Sequence, residues 1–128
     1  MLAEVEGYVN QVDEGLRLLA ETLEALEANA QGDMLVEAYR LQGELLLRQA
    51  TPEVAQAEAS FQQALDIARR QQAKSLELRA AMSLGRLWQQ QGKSAEARQL
   101  LAETYGWFTE GFDTADLQEA RALLEGLV

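Results

Sequence analysis

The chain has 128 residues, of which 48% are hydrophobic, so it is long enough for one domain with a buried core. Strong helix formers dominate, and the net charge of −10 argues against binding to nucleic acids or anionic membranes. Because cysteine and histidine are absent, disulfides, thiolate nucleophiles, common zinc sites and histidine acid–base catalysis are excluded.

The first residues show no basic region followed by an apolar run, so no signal peptide is expected. Charged residues interrupt every apolar stretch well before the ~18 residues that a membrane-spanning helix requires. An acidic chain of this kind is typical of a soluble protein, and we expect a cytoplasmic location.

Apolar residues recur at helical spacing along the chain and predict an all-α protein with about seven helices. The predicted helices cover residues 2–9, 12–29, 34–49, 53–72, 74–91, 94–109 and 114–126. Asp33, Thr51 and either Asp113 or Thr114 are the predicted N-caps, and Pro52 is predicted to occupy a first helical position.

An internal repeat with a period of roughly 40 residues underlies the helices. Three small residues recur at this interval, and each is followed four positions later by a large apolar one: Gly15 and Leu19, Ala57 and Phe61, Ala97 and Leu101. Gly43 and Gly85 recur at the same interval, with Leu46 and Trp88 three positions after them. A small residue lets two helices cross closely, and a large neighbour fills the groove. The repeat therefore predicts helix pairs that stack into a solenoid.

One part of this repeat resembles the tetratricopeptide family. The matching residues are Leu84-Gly85, Trp88, Gly92, Ala97 and Leu101. The pair from Tyr39 to Ala64 is similar but departs from the pattern at Gln42, where the family has leucine. The resemblance implies a right-handed, antiparallel helix-pair solenoid with a partial repeat at 1–31, repeats at 33–72 and 74–111, and a capping helix at 113–127.

The period of this repeat exceeds the usual tetratricopeptide period of about 34 residues and resembles the long-helix variants of the family. Such variants form the carboxy-terminal regions of large bacterial signalling ATPases, including some fused to nucleotide cyclases, and the stretch 105–114 looks similar to the end of such proteins. The resemblance implies a protein–protein interaction module, either a scaffold or a regulatory arm for signal transduction. Its partner would be a protein segment, such as part of an adjoining ATPase or regulatory domain.

In this family the first helix of each pair lines a concave surface. Carried over by position, the resemblance implies a partner-binding set of Glu37, Arg40, Glu44, Arg48, Arg79, Met82, Arg86 and Gln89, with Gln90 beside them. The arginines would grip carboxylates, or they would pair with Glu37, Glu44 and Glu77 on a solvated surface. Because Glu44 stands where the family's chaperone-tail clamp has asparagine, clamp-type binding is not expected.

A second function stays open from the residues alone, a sensor that binds a small anionic effector in the groove. Arg40, Met82 and Arg86 would line that pocket. No catalytic residue, cofactor or metal site is predicted, because the chain lacks a phosphate-binding glycine loop and a nucleophile elbow. Glu21, Glu24 and Glu27 follow helical spacing and are expected on a solvated face.

The two ends of the solenoid differ in the sequence. The amino end lacks the polar cap that a solenoid needs, so we expect either a longer protein that continues the repeats or a homodimer. The predicted self-association edge is Leu16, Leu19, Leu23 and Leu26. The aromatic residues near the other end, Tyr105, Trp107, Phe108 and Phe112, are expected to seal the last pair against the capping helix or to form a docking patch. Trp88 is expected in the core.

Overall fold

The protein is all-helical in a computed structural model that describes residues 2–28, 32–108 and 114–127. Six helices lie in these ranges: α1 (Leu2–Ala28), α2 (Gly32–Leu47), α3 (Val54–Arg70), α4 (Lys74–Gln90), α5 (Ser94–Tyr105) and α6 (Ala115–Gly126). No strand occurs within them, which confirms the all-α prediction. None of the helices in the described ranges combines the length and hydropathy needed to cross a membrane.

Helix α1 runs without a break through the boundary between the first two predicted helices. The predicted boundary between residues 9 and 12 is therefore wrong, and six helices replace the predicted seven. The segment from Val9 to Val12 contains neither glycine nor proline, so nothing in its backbone interrupts the hydrogen bonding of the helix.

The predicted starts of α2 and α3 are each shifted. Asp33 lies inside the first turn of α2, where its carboxylate still faces the positive end of the helix dipole. Helix α3 begins at Val54 after a non-helical Glu53, so Thr51 is not its N-cap and Pro52 is not helical. The Glu53 N–H donates to the Leu46 carbonyl at 3.2 Å and is thereby held by the end of α2.

The start of α6 agrees with one of the two predicted caps. Thr114 has an extended backbone, and its hydroxyl oxygen accepts a hydrogen bond from the Leu117 N–H at 3.4 Å. Asp113, the other candidate, lies outside the described residues.

Helices α3, α4 and α5 are joined by two turns of the same kind. Gln72 in the first turn has a φ of 55°, and Gly92 in the second has a φ of 81°. The Ala73 N–H donates to the Ala68 carbonyl at 3.0 Å, and the Lys93 N–H donates to the Trp88 carbonyl at 2.8 Å. Both helices thus end in a left-handed residue, and the N–H of the residue that follows it donates back to the last turn.

Each helix packs against the next one along the chain, and the alternate helices α2, α4 and α6 also contact one another in sequence, α2 with α4 and α4 with α6. Helices α1, α3 and α5 make no such contacts among themselves in the described part of the chain. The largest fully buried side chains are Phe61, Leu65, Leu78, Leu84, Leu101, Val36 and Thr104. The molecule therefore has a row of alternate helices on one side of its core.

The two repeated glycines lie at close contacts between neighbouring helices. A Cβ atom added to Gly43 would lie 2.5 Å from Phe61 Cε1, and one added to Gly85 would lie 3.0 Å from Leu101 Cδ1. Gly43 and Gly85 are on α2 and α4, and the apolar side chains come from the helix that follows each. This confirms that the repeated glycines admit a large apolar side chain from the neighbouring helix.

The predicted self-association edge of α1 faces the core. Leu23 and Leu26 are buried, and Leu16 and Leu19 are half-buried and packed against the core. The prediction that these four leucines are exposed is therefore wrong, because α2 covers this face of α1. The exposed large hydrophobic side chains in the described residues are Leu18, Met34, Leu41, Val54 and Trp107.

Candidate partner-binding face

The row of alternate helices carries charged residues from α2, α4 and α6. We call this surface the α2–α4–α6 face and define it by Glu37, Arg40, Glu44, Arg79, Arg86, Asp116 and Glu119. Glu37 and Arg79 are separated by the same interval as Gly43 and Gly85 and thus occupy the same position in the repeat. Because α2 and α4 contact each other, these two positions become neighbours in space.

Arg79 connects all three helices of the row. Its Nε lies 2.9 Å from Asp116 Oδ2 on α6, and its Nη1 lies 3.5 Å from Glu37 Oε1 on α2. The hydrogen bond to Asp116 and the charge of that carboxylate raise the pKa of Arg79 above its ordinary value, with a smaller contribution from Glu37. Negative, positive and negative groups thus alternate across the face.

Two further arginines of the face are also paired. Arg40 Nη2 lies 2.8 Å from Glu37 Oε2, and Arg40 Nη1 lies 3.0 Å from Glu44 Oε1, both at helical spacing along α2. Arg86 Nη2 lies 3.5 Å from Glu119 Oε2 on α6. Partly exposed pairs of this kind contribute about 0–1 kcal/mol each to stability.

These pairings agree in part with the alternative that the arginines pair with Glu37, Glu44 and Glu77 on a solvated surface. Arg40 pairs with Glu37 and Glu44, as expected for a solvated surface. Glu77 does not pair with the arginines of the face, because it is only 2% exposed and accepts a hydrogen bond from Arg69 Nε at 3.2 Å. Arg48, Gln89 and Gln90 are exposed, and Gln89 lies three residues after Arg86 on α4, next to the α2–α4–α6 face.

Met82 is the exception among the predicted partner-binding residues, because its side chain is 3% exposed. It therefore does not line the surface, and its predicted role there is wrong. The repeat places Met82 at the position equivalent to the part-buried Arg40. Helix α4 contacts α2, α3, α5 and α6, so most of its circumference is covered, whereas α2 has no contact with α6 in the described part of the chain.

The aromatic residues after α5 divide into two groups. Tyr105 and Phe108 are half-buried and pack against the core, which fits the predicted seal. Trp107 is 44% exposed and lines an open cleft of about 670 Å³ with Arg69, Gln72, Lys74 and Glu77. Phe112 lies outside the described residues.

Trp88 is half-buried rather than fully in the core. Its indole N–H donates to Glu58 Oε1 at 2.6 Å, and its ring lines an open groove of about 460 Å³ together with residues of α3 and the start of α5. The polar indole nitrogen needs an acceptor, which keeps one edge of the ring at the surface. Glu58 lies 30 residues away in the chain and carries no sequence signal of this contact.

Within the described residues, no group of three or more histidine, cysteine, aspartate or glutamate side chains is arranged to hold a metal ion. The carboxylates of the α2–α4–α6 face instead lie against guanidinium groups. The arrangement supports recognition of a charged or polar chain by hydrogen bonds and ion pairs.

No protein-family model, curated protein or solved structure that was compared with the chain matches it. The resemblance to tetratricopeptide repeats thus stays a prediction from the residues quoted for it.

Proposed function

We propose that the chain is a protein–protein interaction module, a tetratricopeptide-like stack of helix pairs that binds a segment of another protein on the α2–α4–α6 face. In this proposal it serves as a scaffold or as the regulatory arm of a larger bacterial signalling protein. The partner segment belongs to another protein or to an adjoining ATPase or regulatory domain.

The observation that carries the proposal is the row of α2, α4 and α6 with charges paired across it. The contacts of Arg79 with Glu37 and Asp116 tie the three helices together. Because α2 packs on α4 and α4 packs on α6, the face is organised before the partner arrives, so binding requires little ordering of the module itself. The repeated close crossings at Gly43 and Gly85 support the same stacked architecture.

A protein segment fits this face better than a small anionic effector. Arg40 and Arg86 already contact carboxylates, and Met82, the third residue of the predicted effector pocket, is buried. A small anion would have to displace Glu44 or Glu119 to reach a guanidinium group. An extended segment can instead contact the exposed parts of several side chains along the row without breaking each pair.

The proposal is tested by affinity capture with the immobilised chain in three forms and quantitative mass spectrometry of what each form retains from source-cell extract. The forms are the wild type, the face variant Arg86→Ser/Gln89→Ser, and the control Arg98→Ser/Gln99→Ser on the exposed surface of α5. We expect a partner that the wild type and the control retain and that the face variant loses by about tenfold or more. Equal retention by the face variant and the wild type, with equal melting temperatures, would contradict the proposal.

A further inference from the structure

A second surface lies on α1 and α2, where three large apolar side chains are exposed to solvent. Leu18 on α1 is 51% exposed, and Met34 and Leu41 on α2 are 56% and 45% exposed. We call these three residues the α1–α2 edge. The proposed function does not use them, since the α2–α4–α6 face is built from charged side chains.

The internal repeat shows what these positions do elsewhere in the molecule. One repeat further on, at the interval that separates Gly43 from Gly85, the three positions are occupied by Ser60, Leu76 and Ser83. Ser60 and Ser83 are buried, at 8% and 6% exposed, and Leu76 is half-buried against the core. The positions that are buried or half-buried in the second repeat are thus open in the first, and two of them carry leucine there in place of serine.

Helix α2 covers these positions in the second repeat. The Ser60 hydroxyl donates to Gln42 Oε1 on α2 at 3.0 Å. Leu76 and Ser83 lie three residues before and four residues after Arg79, which reaches Glu37 on α2, so they lie on the side of α4 that faces α2. A helix therefore packs on this face in the second repeat, and the same kind of face is presented to solvent by α1 and α2.

The charges around the edge indicate which charge a helix that binds there should carry. Residues 11–48 contain eight acidic and three basic side chains. Two of the three basic side chains, Arg17 and Arg40, are already paired with glutamates of their own helices. A second copy would bring two such acidic surfaces together, which is unfavourable, whereas a basic helix would be attracted.

We propose that the α1–α2 edge binds an amphipathic helix of a partner protein, with an apolar stripe flanked by lysine or arginine. The helix packs on α1 and α2 as α2 packs on α3 and α4, with its apolar stripe on Leu18, Met34 and Leu41. Such recognition of a helix by an exposed apolar surface is a common mode of protein binding. The edge adjoins the α2–α4–α6 face on α2, because Met34 and Leu41 lie three residues before and four residues after Glu37, but it is lined by apolar rather than charged side chains.

The test uses a synthetic, fluorescently labelled peptide of about 18 residues, with leucine at helical i, i+3 and i+4 spacing and lysine elsewhere. Its binding to the whole chain is measured by fluorescence anisotropy at physiological salt. The variant is Leu18→Ser/Leu41→Ser, because serine already occupies the equivalent helical positions 60 and 83. The control is Val54→Ser, which alters an exposed apolar residue at the start of α3.

We expect the double serine variant to weaken the Kd by about tenfold or more and the Val54→Ser control to leave it unchanged. We also expect much weaker binding of a peptide with alanine in place of leucine, and of one with glutamate in place of lysine. Equal binding by the double variant, or by the alanine peptide, would overturn the proposal, since charge alone would then explain the affinity. Sedimentation that shows a dimer of the wild type but a monomer of the double variant would also overturn it, because a second copy would then cover the edge.

Discussion

The α2–α3 and α4–α5 crossings use glycine at the same position of the repeat but differ in how tightly they close. A Cβ atom on Gly43 would lie 2.5, 2.7 and 2.9 Å from three atoms of the Phe61 ring. A Cβ atom on Gly85 would lie 3.0, 3.4 and 3.9 Å from three atoms of Leu101. A ring is flat and rigid, whereas a leucine can move its terminal methyl groups. The partner side chain, and not the glycine, therefore determines how strictly a crossing requires a missing side chain.

Removing the large side chain tests the comparison most strongly. Phe61 is 1% exposed and Leu101 is fully buried, so each truncation leaves a cavity in the core. We expect Phe61→Ala to lower the free energy of unfolding by about 4 kcal/mol and Leu101→Ala by about 3 kcal/mol. Urea denaturation followed by circular dichroism measures both. A larger loss for Leu101→Ala would show that the α2–α3 crossing is the looser one.

Adding a side chain at the glycines should separate the two crossings by the size of the loss in stability. We expect Gly43→Ala to destabilise the protein by about 2 kcal/mol, because the ring of Phe61 must be displaced. Gly85→Ala should stay within about 1 kcal/mol of the wild type, because the better helix propensity of alanine offsets the small shift of Leu101.

The double variant Gly43→Ala/Phe61→Leu is the control for this explanation. It makes the α2–α3 crossing resemble the α4–α5 crossing, so it should recover part of the stability that Gly43→Ala alone loses. If the double variant lost more stability than the two single variants lose together, contact between the ring and the added methyl group would not be the cause of the loss in Gly43→Ala.

The two turns on either side of α4 offer a smaller comparison. Gln72 adopts a φ of 55° at the position where the next turn has Gly92, with a φ of 81°. A residue with a Cβ atom is strained in this region, so we expect Gln72→Gly to raise the melting temperature through about 0.5–1 kcal/mol of added stability. Gly92→Ala should lower stability by about 1 kcal/mol. Differential scanning calorimetry of both variants measures these effects, and an opposite pattern would show that the turn at Gln72 is not strained.

The contact between α1 and α2 should be detectable in the titration of Tyr39 at high pH, whereas the stability that it contributes should not vary with pH near neutrality. The Tyr39 hydroxyl donates to a Glu27 carboxylate oxygen, and this hydrogen bond, with burial, raises the pKa of Tyr39 from 10.0 to about 12. Because the folded-state pKa is the higher one, the contribution is present below pH 10 and is lost as pH rises toward 12. Subtracting the titration of Tyr39→Phe, followed by tyrosinate absorbance, from that of the wild type should isolate a midpoint near 12. Glu27→Ala should move this midpoint back toward 10, and an unchanged midpoint would exclude the hydrogen bond as its cause.

Much of the helical framework could be predicted because it depends on local periodicity. Apolar spacing located the helices that follow α1 to within a few residues, and the recurrence of glycine at 43 and 85 indicated two equivalent crossings. The predictions failed where contacts between residues far apart in the chain determine the structure. Glu53, and not Thr51, is the N-cap residue of α3 and its N–H donates to Leu46 of α2, and Leu23 and Leu26 of α1 are buried because α2 covers them.

The candidate site was predictable only in part, both in the residues that form it and in how they pair. Arg40 and its glutamates lie within one turn of α2, so their ion pairs could be anticipated from helical spacing. The contact of Arg79 with Asp116 joins residues 37 positions apart and depends on how α6 packs against α4. The same holds for Trp88 and Glu58, whose hydrogen bond requires knowledge of the tertiary structure.

The most direct test of the proposed binding face is photo-crosslinking in the source cells with p-benzoylphenylalanine at Gln89, one turn beyond Arg86 on α4. The same amino acid at Gln99, exposed on α5, is the matched control. We predict that Gln89 crosslinks to one contiguous segment of a single protein and that Gln99 does not. Equal crosslinking of that segment from both positions, or crosslinking from Gln99 alone, would contradict the assignment of partner binding to the α2–α4–α6 face.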